Sequence, residues 1–586
     1  MGDNATVTQS ELRSTATTDL VASSGHRLGS TLMLAGVGVL LVILMYQPTF
    51  DSLQMLPWNL GDPALNTWIL SWESHAILSE PGRFFQGNIF YSFGNALKYT
   101  ELMLPLMPVF GLVLALSGNP VLAYSLTSLG LSLFCFMATH RLALRFVGAL
   151  PALIAAVSFS FSGYVFMHQS HLQLLALGFF PLAFLALFRM LDRRRVRDGV
   201  WLGVCTCLLT TAAFYYAAIW FVCMGVIVIA DMVRRRWSDR AWWRSIGVAA
   251  FISALVLGPL AFVYSSFQTD VSFFRDPTGF ELRPLDFLTP APGSVVYSGL
   301  SDWAAARRET GPVEHGFFMG FVIPVLAVGG AASLLTGSLT QRRDRAPLER
   351  NQIEMWWMIL AGAVAVSIAI GPRLFGVSLP LHFLREYVPG FDAMRAVSRL
   401  AVPALLTTSL LAARFLGRLV RRRSLEGGIL ILAIVTSAVL VEMYVEPMNV
   451  PVPAPSSLNA DLLNEGDGAV VELPMRQTFD AEFAIIEGPR LLASIGDWRP
   501  RFNGYSGDVP PGYMEFVERL NRFPSAASLE TLEDLNIRYV ILHGNEVGLE
   551  SAYSFTDIQE MLGRLSTSIE YRRYGDSWLV DFDPGT

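Results

Sequence analysis

Eleven apolar runs constrain this chain more than anything else in it: Leu28 to Tyr46, Pro120 to Thr139, Pro151 to Phe166, Leu172 to Met190, Val200 to Phe214, Ala217 to Met232, Ile246 to Tyr264, Phe317 to Leu335, Met355 to Ile370, Leu400 to Leu419 and Ile429 to Val445. A bilayer span takes about 20 such residues, and flanking Trp and Tyr extend the shorter runs. With 52% hydrophobic and 16% charged residues and a mean hydropathy of +0.44, the chain reads as mainly α and polytopic in a membrane. Arginine clusters at 13 to 27, 141 to 145, 193 to 197, 234 to 244, 342 to 350 and 418 to 423 punctuate the runs. Such clusters stay cytoplasmic. All six fall on one side if a twelfth apolar run, Leu102 to Leu116, does not cross. Pro105 and Pro108 interrupt it, so it is expected as a re-entrant or interfacial helix. The N-terminus is then cytoplasmic and the tail extracytoplasmic.

The first 27 residues are polar, rich in Ser and Thr, and expected to be disordered, while the run after them is too long for a signal-peptide core and reads as a signal anchor. The transmembrane domain is expected over 28–446, a Pro-rich linker over 447–455 and an α/β domain over 456–586. From Val452 onward the chain has 10 basic and 22 acidic residues, so of a net charge of −6 the tail carries −12 and the rest +6. That partition argues against a nucleic-acid partner. The tail's strand-like runs are Ala469 to Leu473, Tyr539 to Leu542 and Trp578 to Phe582, alternating with helix-like Tyr513 to Leu520 and Ala527 to Leu535. The four cysteines, Cys135, Cys205, Cys207 and Cys223, all sit inside apolar runs and read as core filler.

The loop Asp51 to Glu101, within the first outer loop 47–119, is too rich in acids, amides and aromatics to be a span. After Gly61-Asp62-Pro63, residues Leu65, Trp68, Ile69, Trp72 and Ala76 recur at helical spacing, with Asp62, Asn66 and Glu73 on another stripe. This predicts an amphipathic helix lying in the membrane interface with its carboxylates toward water.

Several blocks resemble the bacterial GT-C-type membrane proteins, including YfhO-type proteins and lipid-linked-sugar transferases. They are GDPALNTWILSWESHAI (61 to 77), GNIFYSFGNALKYTELMLP (87 to 105), GNPVLAYSL (118 to 126), HQSHLQLL (168 to 175), PGFDAMRAVSRLAV (389 to 402), VELP (471 to 474), WRPRFNGYSGDVPPGY (498 to 513) and IRYVILHG (537 to 544). The resemblance implies a GT-C-like fold of about eleven spans in a bacterial plasma membrane. It also implies transfer of a sugar from a polyprenyl-phosphate donor to an extracytoplasmic glycan or lipid acceptor in the cell envelope. The other reading is a non-enzymatic protein of the same fold that helps to flip, present or assemble a glycolipid. Well-studied members often carry paired acids in the first outer loop, where this chain has Asp62 and then Pro63. Acids of the second outer loop are here replaced by His168 and His171. The family thus allows a divalent metal that these residues do not support, and the cofactor stays unknown.

Asp62 is the expected acid-base residue, its other reading being a helix N-cap before proline. Glu101 is a second catalytic candidate, or a carboxylate placed at a helix start. Lys98, the chain's single lysine, is a partner for Glu101, a solvated charge or a phosphate ligand. Asn66, His168 and His171 are candidate substrate contacts; Glu73 and His75 read as solvated interfacial residues. Arg395 and Arg399 run against the positive-inside trend. Arg399 could grip a carrier phosphate bidentately, or pair with Asp392 and Glu386 or with lipid headgroups. The loop Ser265 to Gly316 could close over a donor, and WRPRFNGYSG could stack on sugar rings or pack as a turn-rich loop. Membrane lipids, a lipid-linked sugar and a glycan or glycolipid acceptor are the expected partners.

Overall fold

In hydrocarbon a long apolar run can satisfy its backbone as a helix, and ten helices among the described residues are long and apolar enough to cross a membrane. The computed structural model describes residues 29–235, 239–268, 275–307, 312–344, 346–453, 458, 462, 466–544, 555–565 and 570–582. The cytoplasmic-disorder expectation for 1–27 lies outside them. The first span, α1 (Gly29–Tyr46), leads to β1 (Met55–Pro57), α2 (Asp62–Ser79) and α3 (Met107–Ser117). There follow α4 (Pro120–Ala143), α5 (Ala149–Ser160) continued by α6 (Gly163–Met167), and α7 (Leu172–Leu175) continued by α8 (Phe179–Arg193). Next are α9 (Val196–Ala212), α10 (Phe214–Arg235) and α11 (Arg240–Gln268). After α12 (Ser298–Ala305) come α13 (Val322–Arg343) and α14 (Arg350–Ala369), a hairpin of β2 (Arg373–Leu374) and β3 (Val377–Ser378), and α15 (Pro380–Tyr387). A 3-10 turn runs into α16 (Val402–Val420), then α17 (Leu425–Met443) and β4 (Asn449–Pro451). The eleventh expected span is α9, which has 17 residues. The expected interfacial run is α3, whose 11 residues rise only about 16 Å.

The helix ends sort into two groups. Arg145, after α4, reaches Glu354 of α14 at 2.6 Å and also Asp192 of α8. Arg350 binds Asp192, Glu354 and Asp231 of α10 at 3.0, 2.7 and 3.4 Å. These arginines therefore gather the ends of α4, α8 and α10 with the start of α14. At the other end, β1 pairs antiparallel with β4, in register Met55↔Pro451 to Pro57↔Asn449, so part of the expected linker is a strand. The side-chain amide of Asn119, after α3, donates to Gln54 just before β1 at 3.3 Å, so the chain leaves α3 beside β1.

The expected interfacial position of α2 is corrected by its packing. Twelve of its eighteen residues are buried, including both tryptophans and Glu73, so it is a core element. Its cover is the tail. There α18 (Ala481–Ser494) lies on α2, and a Cβ on Gly488 would come within 1.6 Å of the Leu60 carbonyl oxygen, so the contact requires glycine. With β5 (Ala469–Leu473), α19 (Tyr513–Leu520), α20 (Ala526–Asp534), β6 (Ile537–His543), α21 (Phe555–Leu565), β7 (Glu570–Tyr574) and β8 (Ser577–Asp581), the tail forms a small sheet of order β5-β6-β8-β7. β5 and β6 are parallel, joined through α18, α19 and α20; the other pairs are antiparallel. The tail does not stand apart from the first loop. Arg501 donates its amide to Asn88 O at 2.7 Å and accepts from Tyr91 N at 2.8 Å, while Phe502 N donates to Val470 O of β5 at 2.8 Å. Segment WRPRFNGYSG is thus packed: Phe502 stacks on Tyr513 at 5.1 Å and Trp498 on His75 at 4.6 Å.

Candidate functional site

The break between α9 and α10 shows how the fold builds its site. Ala213 is extended (φ −159, ψ 126), so α10 restarts at Phe214 with unsatisfied amides at its N-terminus. Glu101 meets them: its Oε1 accepts from Phe214 N at 2.7 Å. Burial raises the Glu101 carboxyl above the usual carboxylate range; Arg399, the Phe214 and Tyr215 amides and Gln173 only partly offset it. Lys98 is not its partner, which corrects that expectation; both line one cavity of about 1640 Å³.

Asp62 lies on the same cavity. Gly61 occupies the N-cap of α2, and Asp62 is the first helical residue and makes no capping bond, so the N-cap reading is corrected. Its carboxylate turns away from the helix. Tyr505 donates its hydroxyl to Oδ1 at 2.6 Å, and His171 Nε2 stands 3.1 Å from Oδ2. Since the carboxylate accepts, Nε2 carries the proton, and His171 Nδ1 meets Ser170 Oγ at 2.8 Å. Asn66 Nδ2 fixes this turn by donating to Ser170 O at 3.2 Å. Burial alone would raise Asp62; the adjacent His171, the Tyr505 hydroxyl and the Arg399 charge outweigh it and hold the carboxyl below its ordinary range.

Arg399 is buried at the start of its span and forms a forked pair with Glu314, with Nε to Oε2 at 2.8 Å and Nη2 to Oε1. Of the alternatives to a carrier phosphate, pairing with Asp392 and Glu386 is not what the structure shows; it supplies Glu314 from the loop before α13. The guanidinium also lies 4.9 Å from the Tyr215 ring centroid. Burial raises Glu314, but Arg399 and His168 overcome it and hold the carboxyl well below the usual range. His168 is fully buried, stands behind Glu314 at 3.6 Å and is not among the residues that line the cavity. Its Nδ1 faces Tyr164 O at 2.8 Å and must donate there. Burial pushes the imidazole down, offset in part by Glu314.

Arg395 is exposed, lines the cavity and lies 4.8 Å from the Phe280 ring centroid. The cavity therefore brings together Asp62, Asn66, Glu101, His171, Arg395 and Arg399, and leaves His168 behind it. Glu314 and Tyr505 were missed. Both lie in stretches noticed for other reasons, a loop rich in charge and the motif around Gly504, but nothing in either marks the residue whose side chain reaches across the fold. Glu73 is not solvated: it is fully buried, and burial pushes its carboxyl up to about 8 against a single 3.4 Å bond from Met103 N, while His75 is half-buried beneath Trp498. Among the described residues no group of three or more His, Cys, Asp or Glu side chains is arranged to hold a metal ion, and both Asp62 oxygens already have partners.

No family model and no curated protein matches the chain. Solved structures do. A mutant form of arabinofuranosyltransferase AftD from Mycobacteria matches over 94% of this chain and 41% of its own, with a TM-score of 0.57 at 15% identity. AftD itself matches over 94% and 40%, with a TM-score of 0.52 at 14% identity. The fold is GT-C-like. At these identities the likeness is one of fold, and the chain spans less than half of the AftD chains it matches. ArnT from Cupriavidus metallidurans, bound to undecaprenyl phosphate, matches over 94% of this chain and 98% of its own, with a TM-score of 0.47 at 14% identity.

Proposed function

We propose that this chain transfers a sugar from a polyprenyl-phosphate donor to a glycan or lipid acceptor on the extracytoplasmic face of a bacterial plasma membrane. One observation carries the reading: Asp62, Glu101 and Arg399, from three distant parts of the sequence, meet at a single cavity roofed by the tail. In the proposed step, the acceptor oxygen attacks the anomeric carbon as the bond from that carbon to the phosphate oxygen breaks. The acceptor proton passes to Asp62, and the electron pair leaves with the phosphate. Tyr505 and His171 hold Asp62 ionised and aimed, as a general base requires. Glu101, raised by burial, is the alternative proton acceptor. Cations that line the cavity, Lys98, Arg275, Arg395 and Arg399, supply the attraction for a phosphate.

Orientation follows from the charge pattern. α8 and α10 both end at the arginine-rich cluster, so α9 between them runs the full way across, and α3 turns back. With eleven crossings and arginines cytoplasmic, the N-terminus is cytoplasmic, while the cavity and the α/β domain over 456–586 face outward. Lipid mass spectrometry of a strain lacking the protein is the test. An accumulating polyprenyl-phosphate sugar, cleared by the wild-type chain and not by Asp62→Asn, is expected. Unchanged lipid-linked sugars and surface glycans would overturn the transferase reading.

A further inference from the structure

The segment between α14 and the span that begins at Val397 carries apolar side chains where a water-facing surface does not. Phe375 (φ +48) and Gly376 (φ +81) form a two-residue turn with both residues in the left-handed region, and Leu374 pairs with Val377. Such turns match the twist of the strands they join, so the hairpin is short and stiff. It presents Phe375 at 98% exposure, with Val377 at 65%. One helical turn apart on α15, Phe383 and Tyr387 are also bare, while Leu381 is buried and Leu384 lines the cavity. α15 is therefore a wall with the cavity on one flank and an uncovered apolar stripe on the other.

The chain also fixes the height of this patch. β2 begins four residues after α14 ends, and four extended residues reach at most about 14 Å. The hairpin cannot rise far from the end of a membrane span. Arg385 ties α15 down, donating to the carbonyls of Arg275 at 2.7 Å and Asp392 at 3.3 Å. The bare stripe thus continues the apolar outer surface of the bundle at the cavity's end, which is where a lipid surface lies.

We propose that the hairpin 373–378 and α15 dip into the bilayer interface beside the cavity and dock the rim of the site on lipid. Resting on the transferase reading, this makes α15 the side from which a lipid-borne substrate enters. The four native cysteines are buried, so a spin label on Phe375→Cys reports that position in the full-length protein. Glu518→Cys, 59% exposed on α19 of the tail, is the aqueous reference. In vesicles of phosphatidylethanolamine and phosphatidylglycerol, the ratio of collisions with oxygen to collisions with a water-soluble nickel chelate should be several-fold higher at 375 than at 518. Equal nickel access at the two sites overturns the proposal. So does shielding from both reagents, with dipolar broadening for a second copy or without it for a covering protein. The readout needs no turnover, so it stands or falls separately from the proposed reaction.

Discussion

At the arginine-rich end of the bundle, the buried carboxylates Glu354 and Asp231 meet guanidiniums, Glu354 those of Arg145 and Arg350 and Asp231 that of Arg350, and the more exposed Asp192 joins Arg350 as well. Among the residues that line the cavity, Arg399 pairs with Glu314 and Arg275 with Asp508. Asp62 is held by a phenol and an imidazole, Glu101 and Glu73 by backbone amides, and Lys98 and Arg395 make no ion pair among the described residues. A carboxylate neutralised by a guanidinium is fixed and inert, whereas one held without a guanidinium and facing a cavity can still gain a proton or a ligand. The same residue types thus clamp helices at one end and build a candidate site at the other.

The sharpest test of that contrast is Asp62→Asn. Because Asp62 caps nothing, the melting temperature should hardly move, while transfer falls by ~10² to 10⁴, the range that general bases contribute. Transfer assays beside thermal melts read both, and equal loss of stability and activity would make Asp62 structural. At the opposite end, Glu354→Ala should do the reverse. It leaves Arg145 and Arg350 short of a fully buried partner, at a cost of about 3 kcal/mol; both arginines keep other carboxylates, so the effect lies at the low end for a broken buried pair. Denaturant melts should show it, with transfer per folded molecule unchanged.

Arg399→Lys keeps the charge but loses the fork to Glu314, about 1.5–3 kcal/mol of charge-assisted bonding. A raised KM for the lipid-linked donor is expected, and an unchanged one would confine Arg399 to holding Glu314. Glu73 tests pH dependence. With its folded carboxyl raised to about 8, the native state binds the extra proton between the ordinary carboxylate range and pH 8, so stability falls as pH rises through that window. Glu73→Gln should flatten that fall, which melts from pH 5 to 9 would show. The smallest change expected is from Tyr505→Phe. Losing that hydrogen bond raises Asp62, so the acid limb of the pH–rate profile should move to higher pH while transfer at pH 8 is retained. An unmoved limb would separate Tyr505 from Asp62.

Much of the framework is determined by the sequence alone. Apolar length gave the long helices of the bundle and the short apolar helix within 102–116, because helix formation over such runs depends on local transfer free energy and not on partners. The tail's strands and helices were legible for the same reason, since period and turn residues act over a few positions. At the site, Asp62, Glu101 and Arg399 could be singled out as charges in unusual places. Only the tertiary structure decided their company. Asp62 and Tyr505 are 443 positions apart, and Arg399 and Glu314 are 85 apart. The burial of α2 was hidden as well, because its stripes look amphipathic until α18 and the segment 498–505 close over them. Periodicity reports what a helix could turn toward water, but the layer that covers it comes from distant chain, and that layer sets which carboxylates are solvated, paired or left facing the cavity.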